Sequence, residues 1–147
     1  LKTGEKFANK VWNATRFIKM NLDKEFSTSE LYDLDQENLT EADKTILKKL
    51  ETFKESFDQD LDDFRFGQAA RSLYHFFWDD YSETYVEKTK NQEGKETQKV
   101  LLRVLLESLK MLHPFMPYLT EEIYDKLPLK DKEDFLMIED WPKHSNK

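Results

Sequence analysis

Cysteine is absent from this 147-residue sequence, and glycine and proline are scarce, with three and four residues. Without cysteine, disulfides and thiolate metal sites are excluded, and a cytoplasmic location is expected. No apolar run approaches the roughly 18 residues of a membrane-spanning helix, and no charged-then-apolar leader opens the sequence. We therefore expect neither a membrane span nor a signal peptide.

Apolar residues make up 38% of the sequence and charged residues 36%, and eleven phenylalanines help to raise the aromatic share to 14%. This balance, with so little glycine and proline, is typical of a helical domain rather than of a β-sandwich or a disordered chain. A chain of this length buries one hydrophobic core, so residues 1–147 are predicted to form a single domain. Phenylalanine rings should contribute to that core.

The formal net charge of −7 is distributed unevenly along the sequence. Residues 1–22 contain five basic residues and one acidic residue, whereas residues 23–63 contain five basic and fourteen acidic residues. The overall charge by itself disfavours nucleic-acid binding. The opening segment, with a charge of +4, is the only clearly basic part of the sequence and indicates a local binding surface.

Apolar residues recur at spacings of three and four along most of the sequence, which predicts an all-α fold. We expect an antiparallel bundle of about five helices, followed by a short irregular or extended C-terminal tail. The predicted helices run over about 4–20, from a capping box at Thr40 to a turn at 60–63, over 65–90, from a turn at 91–94 to before Pro114, and over 117–127.

The third predicted helix has the widest apolar row, which runs from Phe66 to Thr84 and Tyr85. A row this wide predicts a central helix that is covered on more than one side. The polar connector at 21–39 is expected to contain a short helical turn near 29–34, and the tail at 135–141 to be extended.

A search for catalytic residues finds no convincing set. The three histidines, at positions 75, 113 and 144, are far apart in the sequence, and each is expected to be packed or solvated rather than to bind a ligand. No Glu-x-x-His pair of the kind that binds metals in helical bundles occurs, and no glycine-rich phosphate loop is present. We therefore predict no catalytic residue, metal site or cofactor site within this sequence.

The first predicted helix has two distinct faces at 100° per residue. Its core stripe, within about 60°, contains Phe7, Val11, Ala14 and Ile18. The polar, basic and aromatic side chains on and beside the opposite face are Asn9, Trp12, Asn13, Arg16 and Lys19.

The chemistry of this outer face suits RNA. Arginine pairs with phosphates or base edges, an aromatic ring stacks on unpaired bases, and asparagine amides read base edges. The alternative is that Trp12 packs on a neighbouring helix and that Arg16 is only a solvated charge. The spacing leaves both interpretations open.

Several stretches of this sequence together carry a family resemblance that covers nearly its whole length. They are NKVWNATRF at 9–17, NLTEAD at 38–43, FRFGQAARSLYHFFWDDYSETYVE at 64–87, LLRVLLESLKMLHPFMPYLTEEIY at 101–124, and a closing Trp141-Pro142. The sequence resembles the anticodon-binding domain of class I aminoacyl-tRNA synthetases. Within that group, the first and third stretches favour the valyl enzymes.

The resemblance implies a five-helix bundle that binds the anticodon arm of tRNA and contacts the catalytic domain of the same polypeptide. It also implies that Arg16 contacts RNA, because Arg16 matches the arginine of the family's opening helix. ATP and magnesium would be bound elsewhere in the parent synthetase, since its HIGH and KMSKS signatures do not occur in this sequence.

Two alternatives remain open from the sequence. The chain could be the corresponding domain of an isoleucyl- or leucyl-tRNA synthetase, because the stretch at 101–124 is shared across that group. It could also be a helical scaffold that binds a basic protein, since residues 23–63 would repel a phosphate backbone unless they are turned away from it.

Overall fold

The computed structural model describes residues 2–22, 24–90 and 94–132, and those residues form an all-α bundle. The helices of this described part are α1 (Lys2–Asn21), α2 (Thr28–Tyr32), α3 (Glu41–Asp62), α4 (in three consecutive stretches, Phe66–His75, Phe76–Val86 and Glu87–Thr89), α5 (Lys95–Leu112) and α6 (Pro117–Asp125). The predicted helical fold is confirmed. The short α2 is a sixth helix, and the predicted tail at 135–141 lies outside the described residues.

Local sequence signals set the starts of α3 and α6 where they were predicted. Thr40 and Asp43 form a reciprocal capping box at the start of α3, and Ser27 and Glu30 form another at α2. Pro117 is the first residue of α6, where its missing N–H leaves no intrahelical hydrogen bond unmade.

The most enclosed helix is α5. Between Glu96 and Leu112 every residue except Arg103 is buried, and α5 packs against each of the other five helices. The prediction that α4 is covered on more than one side is confirmed, since α4 contacts α1, α3 and α5, but α5 packs against more helices than α4 does. Periodicity identified apolar faces on both helices, but it carried no information on how many neighbours surround each one.

The middle of α4 is a π-helix over Phe76–Val86, which the sequence did not predict. Its hydrogen bonds join residues five apart, so each turn contains more residues than an α-helical turn. Its buried residues accordingly recur in pairs, at 76 and 77, 81 and 82, and 85 and 86. The wider turn buries Ser82 and exposes Thr84, so the predicted core position of Thr84 is wrong. Phe66, at the first position of α4, is also 49% exposed rather than in the core.

Asp43 connects three helices from a fully buried position. Its carboxylate accepts hydrogen bonds from the Tyr85 hydroxyl at 2.6 Å and the Thr97 hydroxyl at 2.8 Å, as well as from the Thr40 backbone N–H at 2.9 Å. Burial, together with the hydrogen bond to Asp43, raises the pKa of Tyr85 well above its ordinary value. A capping residue thus also fixes α4 and α5 against α3.

Glu107 connects α2, α3 and α5 in the same way, and its side chain is 1% exposed. It accepts hydrogen bonds from Lys54 Nζ at 2.6 Å, Arg103 Nε at 3.1 Å and the Tyr32 hydroxyl at 3.0 Å. Lys54 is itself almost fully buried and also pairs with Glu51 at 2.8 Å. A buried carboxylate is tolerated because its oxygens are paired in this way.

The connector between α1 and α3 is fixed to the segment that follows α6. The Phe26 backbone N–H donates to the Pro128 carbonyl at 3.2 Å, and the Lys130 N–H donates to the Phe26 carbonyl at 3.0 Å. The Phe26 ring is fully buried. In the described residues, no helix has both the length and the apolar character needed to cross a bilayer.

Replacing Asp43 by alanine should lower the free energy of unfolding by about 3 kcal/mol. The change removes a helix cap and leaves two buried hydroxyls without their acceptor. Urea unfolding followed by circular dichroism measures the loss. The matched control is Glu41→Ala in the same helical turn, since Glu41 is exposed and forms only a surface ion pair with Lys44. It should change stability by less than about 0.5 kcal/mol. Equal effects of the two substitutions would contradict the role of Asp43.

Substitution at the Glu107–Lys54 pair should reveal strong coupling between the two residues. Glu107→Gln should cost about 3 kcal/mol, because it leaves the buried Lys54 ammonium with less compensating charge. The double variant Glu107→Gln/Lys54→Met should lose less stability than the sum of the two single variants, as measured by urea unfolding. Additive losses would indicate that the two side chains do not interact.

Candidate nucleic-acid interface

The inner face of α1 belongs to the core, as predicted. Its buried residues are Phe7, Val11, Ala14, Thr15 and Ile18. The Phe7 ring lies edge-on to Tyr74 and Phe77 of α4, with centroids 5.2 and 5.9 Å away. This packing fixes the rotation of α1 about its axis and therefore determines which of its side chains face solvent.

Four of the five predicted contact residues on α1 are exposed together. They are Asn9, Asn13, Arg16 and Lys19, and we call them the polar α1 face. Arg16 Nη2 donates a hydrogen bond to Asn13 Oδ1. Within the described part of the chain, neither Arg16 nor Lys19 has an acidic partner, so the positive charges of both are uncompensated there.

Trp12, the fifth residue, faces a different neighbour. Its ring is half-buried and packs against the core, and Lys126 Nζ at the end of α6 lies 5.6 Å from the ring centroid. Trp12 therefore lies at the edge of the polar α1 face that is nearest to α6.

The opposite flank of α1 forms a cleft with the π-helical stretch of α4. Lys10 pairs with Glu83 at 3.2 Å, and its Nζ lies 4.6 Å from the centroid of the Trp78 ring. The cleft, of about 140 Å³, is lined among others by Lys10, Asn13, Phe17, Ser82, Val86 and Lys90. Apart from Asn13, sequence reasoning missed these residues, because the cleft depends on the register of the π-helix.

The acidic part of the chain packs against α4 and α5. The π-helical stretch of α4 contacts both α1 and α3, and its side chains pair in both directions: Glu83 with Lys10 of α1, and Asp80 with Lys49 of α3. The acidic connector packs along α5, where the Asp35 backbone N–H donates to Glu96 at 2.8 Å. The basic α1 and the acidic α3 thus each pack against α4 and form ion pairs with it.

Arg65 and the histidines of the described residues do not form a second site. Arg65 pairs with Asp60 at 3.2 Å and Asp63 at 3.0 Å, so its charge is compensated. His75 lies 3.6 Å from Asp79, and His113 hydrogen-bonds Thr120 at 2.8 Å, while His144 lies outside the described residues.

No group of three or more histidine, aspartate or glutamate side chains in the described part of the chain is placed to hold a metal ion.

The chain belongs to the family described as the anticodon-binding domain of tRNA ligases, which it matches over residues 43–147. It is similar to the valine–tRNA ligase of Thermotoga maritima, with 43% identity over 142 residues and 94% of this chain. The valine–tRNA ligases of Carboxydothermus hydrogenoformans and Bacillus cereus are 43% and 39% identical over 143 residues, or 93% and 92% of this chain.

The chain spans about 16% of the length of these curated relatives. The matched family range begins at residue 43, after α1. The similarity to the Thermotoga maritima protein covers 94% of the chain and therefore includes most of α1. The predicted family is confirmed.

Alanine substitutions should separate the polar α1 face from the packed residues of the same helix. Asn9→Ala, Arg16→Ala and Lys19→Ala should each change the free energy of unfolding by less than about 0.5 kcal/mol, because these side chains are exposed. Trp12→Ala should cost about 2 kcal/mol, since its ring is half-buried. Thermal or urea unfolding measures both effects, and a negligible effect at Trp12 would contradict its packing role.

Proposed function

We propose that the polar α1 face binds the anticodon stem and loop of a tRNA. The observation that carries this proposal is the pair of uncompensated cations, Arg16 and Lys19, on the only clearly basic segment of an acidic chain. A cation without an acidic partner binds a phosphate at a lower free-energy cost, because no existing ion pair has to be broken first. Membership of the anticodon-binding family supports the same partner.

The residues of the face have distinct roles in this proposal. Arg16 and Lys19 contact phosphates or base edges, and the amides of Asn9 and Asn13 hydrogen-bond to base edges. The exposed part of the Trp12 ring offers a surface for stacking at the edge of the contact. Lys126, beside that ring, adds positive charge.

We further propose that residues 1–147 are one domain of a valine–tRNA ligase of the cytoplasm. The shared core of α1 with α4 and α5 supports a single domain. Similarity to valine–tRNA ligases from several bacteria favours valine over isoleucine or leucine. The ATP- and magnesium-dependent attachment of the amino acid is carried out by other parts of such a protein, including the catalytic domain that this bundle would contact.

A protein-binding scaffold is the second candidate. The fourteen acidic residues at 23–63 favour it, because they would attract a basic partner. Several of these acids are already engaged inside the fold, however, as with Asp43 and Asp60, and α3 packs against α4. The tRNA interpretation therefore agrees better with the charge distribution.

Arg16→Ala should weaken binding of a valine-tRNA anticodon stem-loop by about 1–3 kcal/mol if the side chain reads a base. Fluorescence anisotropy at several salt concentrations measures the affinity and its salt dependence. A smaller salt slope in Lys19→Ala would identify a phosphate contact.

The matched control is Arg71→Ala on α4, which also removes an exposed arginine. It should leave the affinity nearly unchanged. An unchanged affinity in Arg16→Ala, with folding intact, would remove Arg16 from the interface. Equal losses at Arg16 and Arg71 would indicate non-specific attraction by overall charge.

A further inference from the structure

The turn between α3 and α4 has an unusual residue at its centre. Phe64 has a φ of 61°, and it is the only residue with a positive φ in the described part of the chain. Its backbone N–H donates to the Leu61 carbonyl at 3.1 Å, and the Arg65 N–H donates to the Asp60 carbonyl at 2.7 Å. These two hydrogen bonds form a Schellman motif, in which glycine is the usual residue at the left-handed position.

The Phe64 side chain gains little within this chain from its position. A Cβ atom in the left-handed region lies too close to the backbone, so phenylalanine costs free energy there that glycine would not. The ring is 78% exposed and packs edge-on against Phe66, with 6.0 Å between the ring centroids. Phe66 is itself 49% exposed. The strained backbone therefore presents two aromatic rings to solvent instead of burying them in the core.

A third exposed aromatic ring lies at the same end of the bundle. Tyr118, in the first turn of α6, is 92% exposed. The corner between α5 and α6 contacts the end of α3, because the Phe115 ring lies 6.3 Å from the ring of Phe57 in the last two turns of α3. We call Phe64, Phe66 and Tyr118 the aromatic end. They are three of the five large apolar side chains that are exposed in the described part of the chain, so the exposed apolar surface is concentrated there.

The start of α1 also lies at the aromatic end. Phe7 contacts Tyr74 and Phe77 of α4. Lys10, further along α1, pairs with Glu83, which is further along α4. The two helices therefore run in the same direction, and α1 begins at the end of the bundle where α4 begins. Polypeptide joined before α1 in a longer protein would be held beside the aromatic end at a high effective concentration.

The charge of the turn favours a protein surface over a nucleic acid. Residues 62–66 contain two aspartates and one arginine, a net charge of −1. Arg65 pairs with Asp60 at 3.2 Å and Asp63 at 3.0 Å, so it offers no free cation to a phosphate. The uncompensated Arg16 lies about 13 Å further along α1 than Phe7. Exposed aromatic rings with compensated charge are typical of a surface that packs against protein.

We propose that the aromatic end is a docking surface on which Phe64, Phe66 and Tyr118 pack against an apolar surface of the polypeptide that precedes α1. The chain spans about 16% of the length of its curated relatives, so most of such a protein lies outside residues 1–147. This inference rests on the proposal that these residues are one domain of a longer ligase, and it assigns the surface that fixes the bundle to the remainder. Burial of the rings on docking offsets the cost of the strained turn.

Photo-cross-linking in the longer ligase tests the contact directly. The variant Phe66→p-benzoylphenylalanine is irradiated, digested and analysed by mass spectrometry. Met20→p-benzoylphenylalanine is the matched control, because Met20 is 83% exposed near the opposite end of α1. Position 66 should form a cross-link to a peptide outside residues 1–147, with a yield that does not change on dilution. Position 20 should form no cross-link to that peptide.

Polar substitutions test the other two rings. Phe64→Asn combined with Tyr118→Ser should lower the cross-link yield from position 66 about tenfold, because the apolar contact is lost. Met20→Ser should leave that yield unchanged. In the isolated 147-residue chain, Phe64→Asn should not lower the urea midpoint, since asparagine tolerates the left-handed region and the ring is mostly exposed.

The docking surface would be overturned if position 66 gave no cross-link to the rest of the polypeptide, or one that disappeared on dilution, as expected for a second copy. A lower urea midpoint for Phe64→Asn in the isolated chain would also overturn it, because the ring would then pack within the bundle. If the ligase without such a cross-link still charges valine tRNA, the proposed function stands. Cross-links in a protein that binds no tRNA would contradict that function and leave the docking surface standing.

Discussion

The buried carboxylate of Glu107 is the interaction on which much of this fold depends. It lies on α5, the helix that contacts all the others, and it accepts hydrogen bonds from residues of α2, α3 and α5 itself. An ionic group in such a position is stable only when all its partners are in place. This requirement ties the short α2 and the long α3 to one register along α5. Asp43 imposes a similar constraint on α3, α4 and α5 at another point of the bundle.

These constraints leave α1 with one face that is not used for packing. Phe7, Val11 and Ile18 fill one side of the helix, and the polar α1 face stays in solvent. Acidic residues of α4 form ion pairs with lysines of both α1 and α3. A protein with a net charge of −7 can in this way present local positive charge to a polyanion.

Features that depend on nearby residues followed from the sequence. The capping box of Thr40 and Asp43 and the start of α6 at Pro117 were predictable, because each involves residues within one helical turn. The π-helix in α4 and the centrality of α5 were not. The first is a change of helix type that the apolar spacing did not reveal, and the second depends on how many neighbours a helix has, which its own periodicity does not encode.

The sequence by itself determined that the chain is helical, that α1 has a core stripe opposite a basic, amide-rich face, and that its family is the anticodon-binding one. Only the tertiary structure decided that Trp12 turns towards α6, that Lys10 is neutralised by Glu83, and that a cleft opens beside Asn13. The physical reason is the range of the interactions. A helical wheel orders side chains around one axis, whereas ion pairs and clefts between helices depend on the rotation and register of two helices packed together.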